Sequence, residues 1–333
     1  MLIFWILVFI LSLALLVKSA DWLVESSEKI ALALKISPFI IGVIIVGIGT
    51  SFPELASSLA ATLKGETEVI AANVIGSNIF NILFIVGLSA VVAGRLIVKR
   101  SLVDLDSPLL AASTALLLFI CADRKIVFGE GILLLLTFFV YLLYSVFQRG
   151  GTEEETPEIG EILPSRIERR EKEAKIEKKP AEPEKLSFQV FLFLIIGIIG
   201  LIIGADYAIE SMMKISEIAK ISSSLIAIIA LAAGTSLPEL FVSVRAAAQK
   251  KYEISLGNIF GSSVFNALVV AGIPALIRPL AIDTLTFSIG LPFLVVATLL
   301  FVISGISRRI HIWEGAMYLL IYILFIVKLC GLF

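Results

Sequence analysis

The chain has 333 residues, 59% of them hydrophobic, a mean hydropathy of +1.03 and a formal net charge of −1. Those values exclude an ordinary soluble domain and leave no basic surface for nucleic acid. The two cysteines, Cys121 and Cys330, lie in apolar stretches, so neither a disulfide framework nor a cysteine-ligated metal is expected.

Apolar runs long enough to cross a bilayer recur along the chain. In order they are predicted at about 2–28, 37–62, 69–93, 107–122, 130–147, 187–212, 222–248, 254–276, 284–304 and 312–332. No basic segment precedes the first run and no small-residue cleavage site follows it, so it is expected to stay as a membrane span. After the fifth run comes one clearly hydrophilic stretch, residues 149–186, with nine basic and eleven acidic side chains. Its interspersed signs read as a solvated tether. It has neither a Ca²⁺-loop pattern nor the length to build a core. The expected organisation is a first five-helix repeat at 1–148, a charged cytoplasmic linker at 149–186 and a second five-helix repeat at 187–333. A Gly-x-x-x-x-Gly-Lys-Ser/Thr segment is absent, which argues against a nucleotide-driven pump.

Lys and Arg are unevenly distributed between the connections. With the N-terminus outside, the inside loops carry Lys29, Lys35, Arg95, Lys99, Arg100, Arg245, Lys250, Lys251, Arg308 and Arg309. The outside loops carry only Lys64, Arg124, Lys125, Lys214, Lys220 and Arg278. That bias predicts a multi-pass cell-membrane protein with its N-terminus outside and its linker cytoplasmic. Five spans per half make the halves run in opposite directions, so a duplication becomes an inverted repeat.

A duplication is written in the residues. Gly49-Thr50-Ser51-Phe52-Pro53-Glu54-Leu55 returns as Gly234-Thr235-Ser236-Leu237-Pro238-Glu239-Leu240, an offset of 185. The same offset maps Asn73, Gly76, Ser77, Phe80 and Asn81 onto Asn258, Gly261, Ser262, Phe265 and Asn266. It also maps Asp21, Glu25 and Lys29 onto Asp206, Glu210 and Lys214. Glu25 with Lys29 and Glu210 with Lys214 have the spacing of i,i+4 ion pairs at span ends.

A proline in mid-span breaks the helix, and broken backbone at that depth survives only where protein or a wet cavity satisfies it. Freed carbonyls near Gly47 are therefore expected as cation ligands, with Glu54 opening the continuing half-helix. A carboxylate near the bilayer centre costs roughly 2.5–3.5 kcal/mol even on a lenient scale, and here the charge is placed twice. Ser51-x-x-Glu54 also fits a helix-capping box, although a cap in a membrane span need not be charged. Asn73, Ser77 and Asn81 share one helical face, as do Thr50, Glu54 and Ser58, and each stripe has its copy in the second half. For Asn73 and Asn258 the competing reading is interhelical hydrogen bonding. Ser77, Asn81, Ser262 and Asn266, nearer the glutamates, read as ligands. The set is hard and all-oxygen, which suits Ca²⁺ with its six to eight oxygen ligands better than Mg²⁺. The sole histidine, His311, falls in a loop, so soft transition metals are disfavoured.

The paired blocks, Gly-Thr-Ser-Phe/Leu-Pro-Glu followed by Asn-x-x-Gly-Ser-x-x-Phe-Asn, resemble the two alpha-repeats of the sodium/calcium exchanger family in the cation/calcium antiporter superfamily. The match covers about 36–93 and 221–278. The resemblance implies an all-α membrane protein of ten transmembrane helices, built as two inverted five-helix repeats with broken helices at a central ion site. It implies that Glu54 and Glu239 are shared Ca²⁺/Na⁺ carboxylates. Further oxygens would come from Thr50, Ser51, Ser77, Asn81, Thr235, Ser236 and Ser262 and from the carbonyls of Gly47 and Ala232, while the first and sixth spans would slide against the rest. One position departs: Asn266 stands where many such exchangers carry aspartate, mirroring Asn81. A proton or K⁺ is therefore an alternative coupling ion, although Ser263 and Val264 replace the Glu-His typical of the Ca²⁺/H⁺ branch.

The expected activity is Na⁺-driven Ca²⁺ export by alternating access, with Ca²⁺/H⁺ or K⁺-dependent exchange as alternatives and a cation channel behind them. The transported ions are Ca²⁺ and Na⁺, the lipid bilayer is the surrounding partner, and no cofactor, nucleotide or protein partner is predicted. An enzyme is not expected, because Ser51 and Ser236 have no histidine or lysine base beside them in the sequence.

Overall fold

A computed structural model describes residues 2–97, 106–147, 186–219 and 234–331, and almost all of them are helical. Ten helices follow in order: α1 (Leu2–Leu34), α2 (Pro38–Lys64), α3 (Thr67–Ala93), α4 (Ser107–Ile120), α5 (Phe128–Phe147), α6 (Phe188–Ala219), α7 (Leu237–Ala248), α8 (Tyr252–Ile277), α9 (Thr286–Ile306) and α10 (Ile312–Leu329). Eight of these are long and apolar enough to cross a bilayer. The fourth, with 14 residues, spans only about 21 Å. The predicted start of the seventh span, 222–233, lies outside the described residues, as does the linker from 149 to 185.

Helix α1 is longer than its apolar run predicted. Its 33 residues reach Leu34, about 50 Å of helix. The reason is that Glu25, Glu28 and Lys29 lie at or near the surface while Leu23, Val24, Ser26, Ser27 and Ile30 stay buried, so the helix continues with its charges toward water. It packs antiparallel against α6, where Gly197, Gly200 and Gly204 let the backbone approach Leu23, Ser19 and Leu16. Small residues at such a seam allow close helix approach where lipid offers no hydrophobic drive.

Helices α2 and α8 cross through the centre. Ser37 accepts a hydrogen bond from Phe39 N at 3.3 Å and Pro38 occupies the first turn, a favourable helix start. Gly42 and Gly47 then meet Gly257 and Gly261 backbone to backbone; a Cβ on Gly47 would sit 2.9 Å from Gly261 Cα. Each crossing helix carries a π-turn, at Gly42–Gly47 in α2 and Asn266–Val270 in α8, and α3 has its own at Phe80–Ile85. Around this centre lies a buried apolar core from Ile75, Ile79 and Ile82 of α3 to Phe260, Val264 and Leu268 of α8.

Four short strands tie the halves together. β1 (Arg95–Ile97) pairs antiparallel with β4 (Arg309–His311), and β2 (Lys125–Ile126) with β3 (Leu280–Ala281). Arg95 faces His311 in the first ribbon, and the residues 185 positions away, Leu280 and Ile126, face each other in the second. Leu96 with Ile310 corresponds in the same way to Ala281 with Lys125. Each ribbon is thus the image of the other under exchange of the two halves. The ribbons sit at opposite ends of α3, since β1 follows its C-terminus while Ala281 N donates to Thr67 Oγ1 at its N-terminus.

Candidate cation-binding centre

The helix break falls where the proline demanded it. Ser51 leaves helical geometry at φ −89° and ψ 8°, and Pro53 sits in the first turn of the segment that continues to Lys64. The second copy does the same, with Ser236 at φ −93° and ψ 13° ahead of Leu237–Ala248. Neither serine caps its own helix. Each instead reaches across to the other half: Ser51 Oγ donates to Glu239 Oε1 at 2.9 Å, and Ser236 Oγ donates to Glu54 Oε1 at 3.0 Å. The capping-box reading therefore fails, because the hydroxyls are spent on the partner carboxylates.

Glu54 and Glu239 are both fully buried and close enough to interact electrostatically. Only one oxygen of each is hydrogen-bonded; Glu54 Oε2 and Glu239 Oε2 have no partner. Asn81 and Asn266 lie in the π-turns Phe80–Ile85 and Asn266–Val270, which pack against the glutamate-bearing segments Leu237–Ala248 and Phe52–Lys64. Both asparagines are fully buried, and both amide atoms of each are without partners. Buried carboxylates and amides are normally satisfied. Four half-empty or empty groups at symmetric positions in one centre are a set that a hard cation would complete.

Asn73 and Asn258 behave differently. Asn258 Nδ2 donates to Ser243 Oγ at 2.8 Å and to the Glu239 carbonyl at 3.2 Å, and its Oδ1 accepts from Thr50 Oγ1 at 3.1 Å. Asn73 Oδ1 accepts from Thr235 Oγ1 at 3.5 Å. These amides stitch α2, α7, α3 and α8 around the centre, the interhelical role.

The Gly47 carbonyl does face the centre, but not because Pro53 freed it. It still accepts the Ser51 N–H at 3.3 Å, and hydroxyls of Thr50 and Ser262 approach it at 3.3 and 3.2 Å. A missing proline N–H strands the carbonyl four residues earlier, which here is that of Gly49. Ala232 falls outside the described residues, and Ser77, buried at 3%, lines a neighbouring cavity. Among the described residues no group of three or more His, Cys, Asp and Glu side chains gathers anywhere, so two carboxylates amid neutral oxygens are all the formal charge this centre has.

A family model described as sodium/calcium exchanger protein matches residues 4–147 and 189–331. The chain belongs to the sodium/calcium exchanger family. It is 28% identical over 343 residues to the sodium/calcium exchanger MaX1 of Methanosarcina acetivorans, covering 97% of each chain. Over 297 residues it is 31% identical to the inner membrane protein YrbG of Escherichia coli K12, covering 88% of this chain and 86% of that one. A solved structure of the sodium-calcium exchanger NCX_Mj superposes with a TM-score of 0.80 at 28% identity, covering 99% of this chain and 100% of that one. The chain is thus a multi-pass membrane protein of a cation/Ca²⁺ antiporter family, not an enzyme.

The segment 220–233, which mirrors 35–48, lies outside the described residues, and among those described the surroundings of the centre differ between the halves. A cavity of about 120 Å³ lies beside it, lined by Ser57, Ser58, Ala61, Val69, Ile70, Asn73 and Thr235. The seven positions related to these by the repeat, Val242, Ser243, Ala246, Ile254, Ser255, Asn258 and Thr50, are all at most 1% exposed. A second cavity, about 260 Å³, runs from Asn73, Gly76 and Ser77 toward Asp283 and Thr286. Among the described residues a Cβ on Gly76 would meet nothing within 4 Å, whereas one on its counterpart Gly261 would collide with the Val43 backbone; the residue 185 positions from Val43, Ile228, lies outside the described residues.

Three charged groups escaped the sequence reading. Asp21 binds Arg245 and Gln249 of α7, and Glu28 binds Lys251. Lys214 pairs with Glu217 at 3.1 Å and not with Glu210. The spacing of i,i+4 residues is a weak guide when partners from other helices or a nearer carboxylate compete.

Proposed function

We propose that this protein exports Ca²⁺ across the cell membrane in exchange for inward Na⁺, by alternating access at one central site. In that reading the ten helices form two inverted five-helix repeats, 1–148 and 187–333, joined by the cytoplasmic linker 149–186, with the N-terminus outside. The exchanged strand pairs and the reciprocal serine–glutamate bonds support a two-fold relation of this kind. The site is made by Glu54, Glu239, Asn81 and Asn266, with Thr50, Ser51, Ser77, Thr235, Ser236, Ser262 and the carbonyls of Gly47 and Ala232 around them. The observation that carries it is the set of fully buried, unpartnered oxygens on Glu54, Glu239, Asn81 and Asn266.

The coupling follows from the charge count. Two carboxylates balance one Ca²⁺ or two Na⁺, so the ions compete for one place. With neither present, two uncompensated charges would have to be enclosed in a low-dielectric centre, which costs several kcal/mol per ion. The empty carrier therefore resists switching, and flux in one direction is tied to flux in the other. The open side corresponds to the α2–α3 connection at Lys64–Thr67, which the charge bias puts outside.

Proteoliposomes carrying the purified protein, loaded with Na⁺ and diluted into Na⁺-free medium with ⁴⁵Ca²⁺, should accumulate Ca²⁺. The Glu54→Gln/Glu239→Gln variant should fold and accumulate none; Na⁺-dependent uptake by that variant would refute the site. A second reading, exchange against H⁺ or K⁺, is favoured by Asn266, which removes a carboxylate from the ligand set. Uptake driven by an outward H⁺ or K⁺ gradient, with none driven by Na⁺, would establish it in the same vesicles.

A further inference from the structure

The sealed side of the centre carries a charged device that the open side lacks. On α1, Asp21 receives the Arg245 guanidinium in a two-pronged contact, Nε to Oδ1 at 2.5 Å and Nη2 to Oδ2 at 3.2 Å. Gln249 Nε2 adds a third bond to the same carboxylate at 2.8 Å. Two turns further along, Glu28 Oε2 meets Lys251 Nζ at 2.8 Å. Residues seven apart lie on one helical face, so both carboxylates of α1 grip the same stretch, the end of α7 and the turn into α8. Beneath them Val242, Ala246 and Ile254 pack against Leu23, Val24 and Ala31 without access to solvent.

The repeat shows what is special about this arrangement. Shifted by 185, Asp21 becomes Asp206 and Gln249 becomes Lys64, but Arg245 becomes Ala60, Glu28 becomes Met213 and Lys251 becomes Glu66. The opposite side therefore cannot build the same contacts: alanine replaces the arginine, methionine replaces the second acid, and the one cation left at an equivalent position for Asp206 is Lys64. Asp206, Lys64 and Glu66 are exposed there, and Met213 is 46% exposed. A planar guanidinium on a carboxylate is the strongest of the ordinary side-chain ion pairs, and it is spent on one gate only.

We propose that Asp21 and Glu28 with Arg245, Gln249 and Lys251 form a latch that holds the inner gate shut and biases the empty carrier toward the outward-open form. The inference rests on the alternating-access reading above, but not on which ion drives it. Opening the inner gate must part α1 from the end of α7, so both pairs break on every cycle. Because the positions equivalent to Arg245, Glu28 and Lys251 carry no such pair, the two closed states differ in energy although the centre itself is symmetric.

The position to watch is Ala246, fully buried here, whose counterpart Ala61 lines the open cavity. In a Cys121→Ser/Cys330→Ser background, Ala246→Cys should react slowly with a membrane-impermeant maleimide applied from the cytoplasmic side. With Asp21→Asn/Glu28→Gln added, the rate should rise about tenfold, the scale expected of two partly exposed ion pairs. The exchanged pair Glu28→Lys/Lys251→Glu should keep the slow rate. A control cysteine at Ala90, buried between α3 and α10, should stay slow in every variant. An unchanged rate at Ala246→Cys in the neutralised variant would overturn the latch, as would a gain matched at Ala90→Cys, which would mean general loosening. The labelling needs neither Na⁺ nor Ca²⁺, so failure of Na⁺-driven flux would sink the proposed counter-ion and leave this result standing.

Discussion

Seven residues around the centre border a cavity, and the seven that mirror them are buried to 1% or less. The backbone breaks, the serine–glutamate bonds and the paired asparagines are alike on both sides. Hydrogen bonding at the centre is thus matched between the halves, while the packing around it differs among the described residues. What differs among the described residues is the contact on α8 and α3: Gly261 is pressed onto Val43 of α2, and a Cβ on Gly76 would meet no described residue within 4 Å. An alternating carrier needs this combination, since a site that changed its ligands as it changed sides would bind ions unequally for reasons unrelated to their gradients.

The sharpest test of equal chemistry is to damage one half at a time. Glu54→Gln and Glu239→Gln should each lower Ca²⁺ uptake by roughly 100-fold, the loss expected when one member of a buried charge set is removed. A large difference between the two in initial uptake rate would break the symmetry of the centre.

Unequal packing makes the opposite forecast. Gly261→Ala must displace the Val43 backbone and should destabilise the protein by about 1–3 kcal/mol. Gly76→Ala should stay within about 0.5 kcal/mol of the parent. Thermal unfolding in detergent, read from tryptophan emission, would separate them, and equal shifts would contradict the lopsided description.

A smaller effect is expected from restoring charge. Asn266→Asp and Asn81→Asp each add a carboxylate to the ligand set and should tighten half-saturation by Ca²⁺ about tenfold, because ligand charge sets Ca²⁺ affinity. Uptake measured across Ca²⁺ concentrations would check that the two agree.

The smallest concerns the turns. Gly65 ends α2 in the left-handed region at φ +83°, and its counterpart Lys250 does so at φ +62° with a side chain. Gly65→Ala should cost about 1 kcal/mol and Lys250→Gly should gain up to about 1 kcal/mol. Denaturation midpoints of the pair would show whether the two turns share one geometry.

Much of this was legible before any coordinates. Polar residues inside apolar spans carry information because bilayer burial is costly, and so Glu54, Glu239, Asn81 and Asn266 stood out, and all four are fully buried. The offset of 185 also located the equivalent breaks at Ser51 and Ser236. What stayed hidden depends on contacts distant in sequence or on identical letters in unlike settings. Nothing local to Asp21 points to Arg245, and Gly76 and Gly261 are the same residue. The Gly47 carbonyl was expected to be freed by Pro53, yet it still accepts the Ser51 N–H, and the carbonyl four residues before that proline is that of Gly49.

The two strand ribbons have a bearing on ancestry. Their register is unchanged when the halves are exchanged, Arg95 with His311 against Leu280 with Ile126. Two identical five-helix chains inserted in opposite orientations would make both ribbons without altering one pairing, each lending one strand to close the other's edge. A single chain carrying both halves supplies every molecule with both strands of each ribbon in equal number.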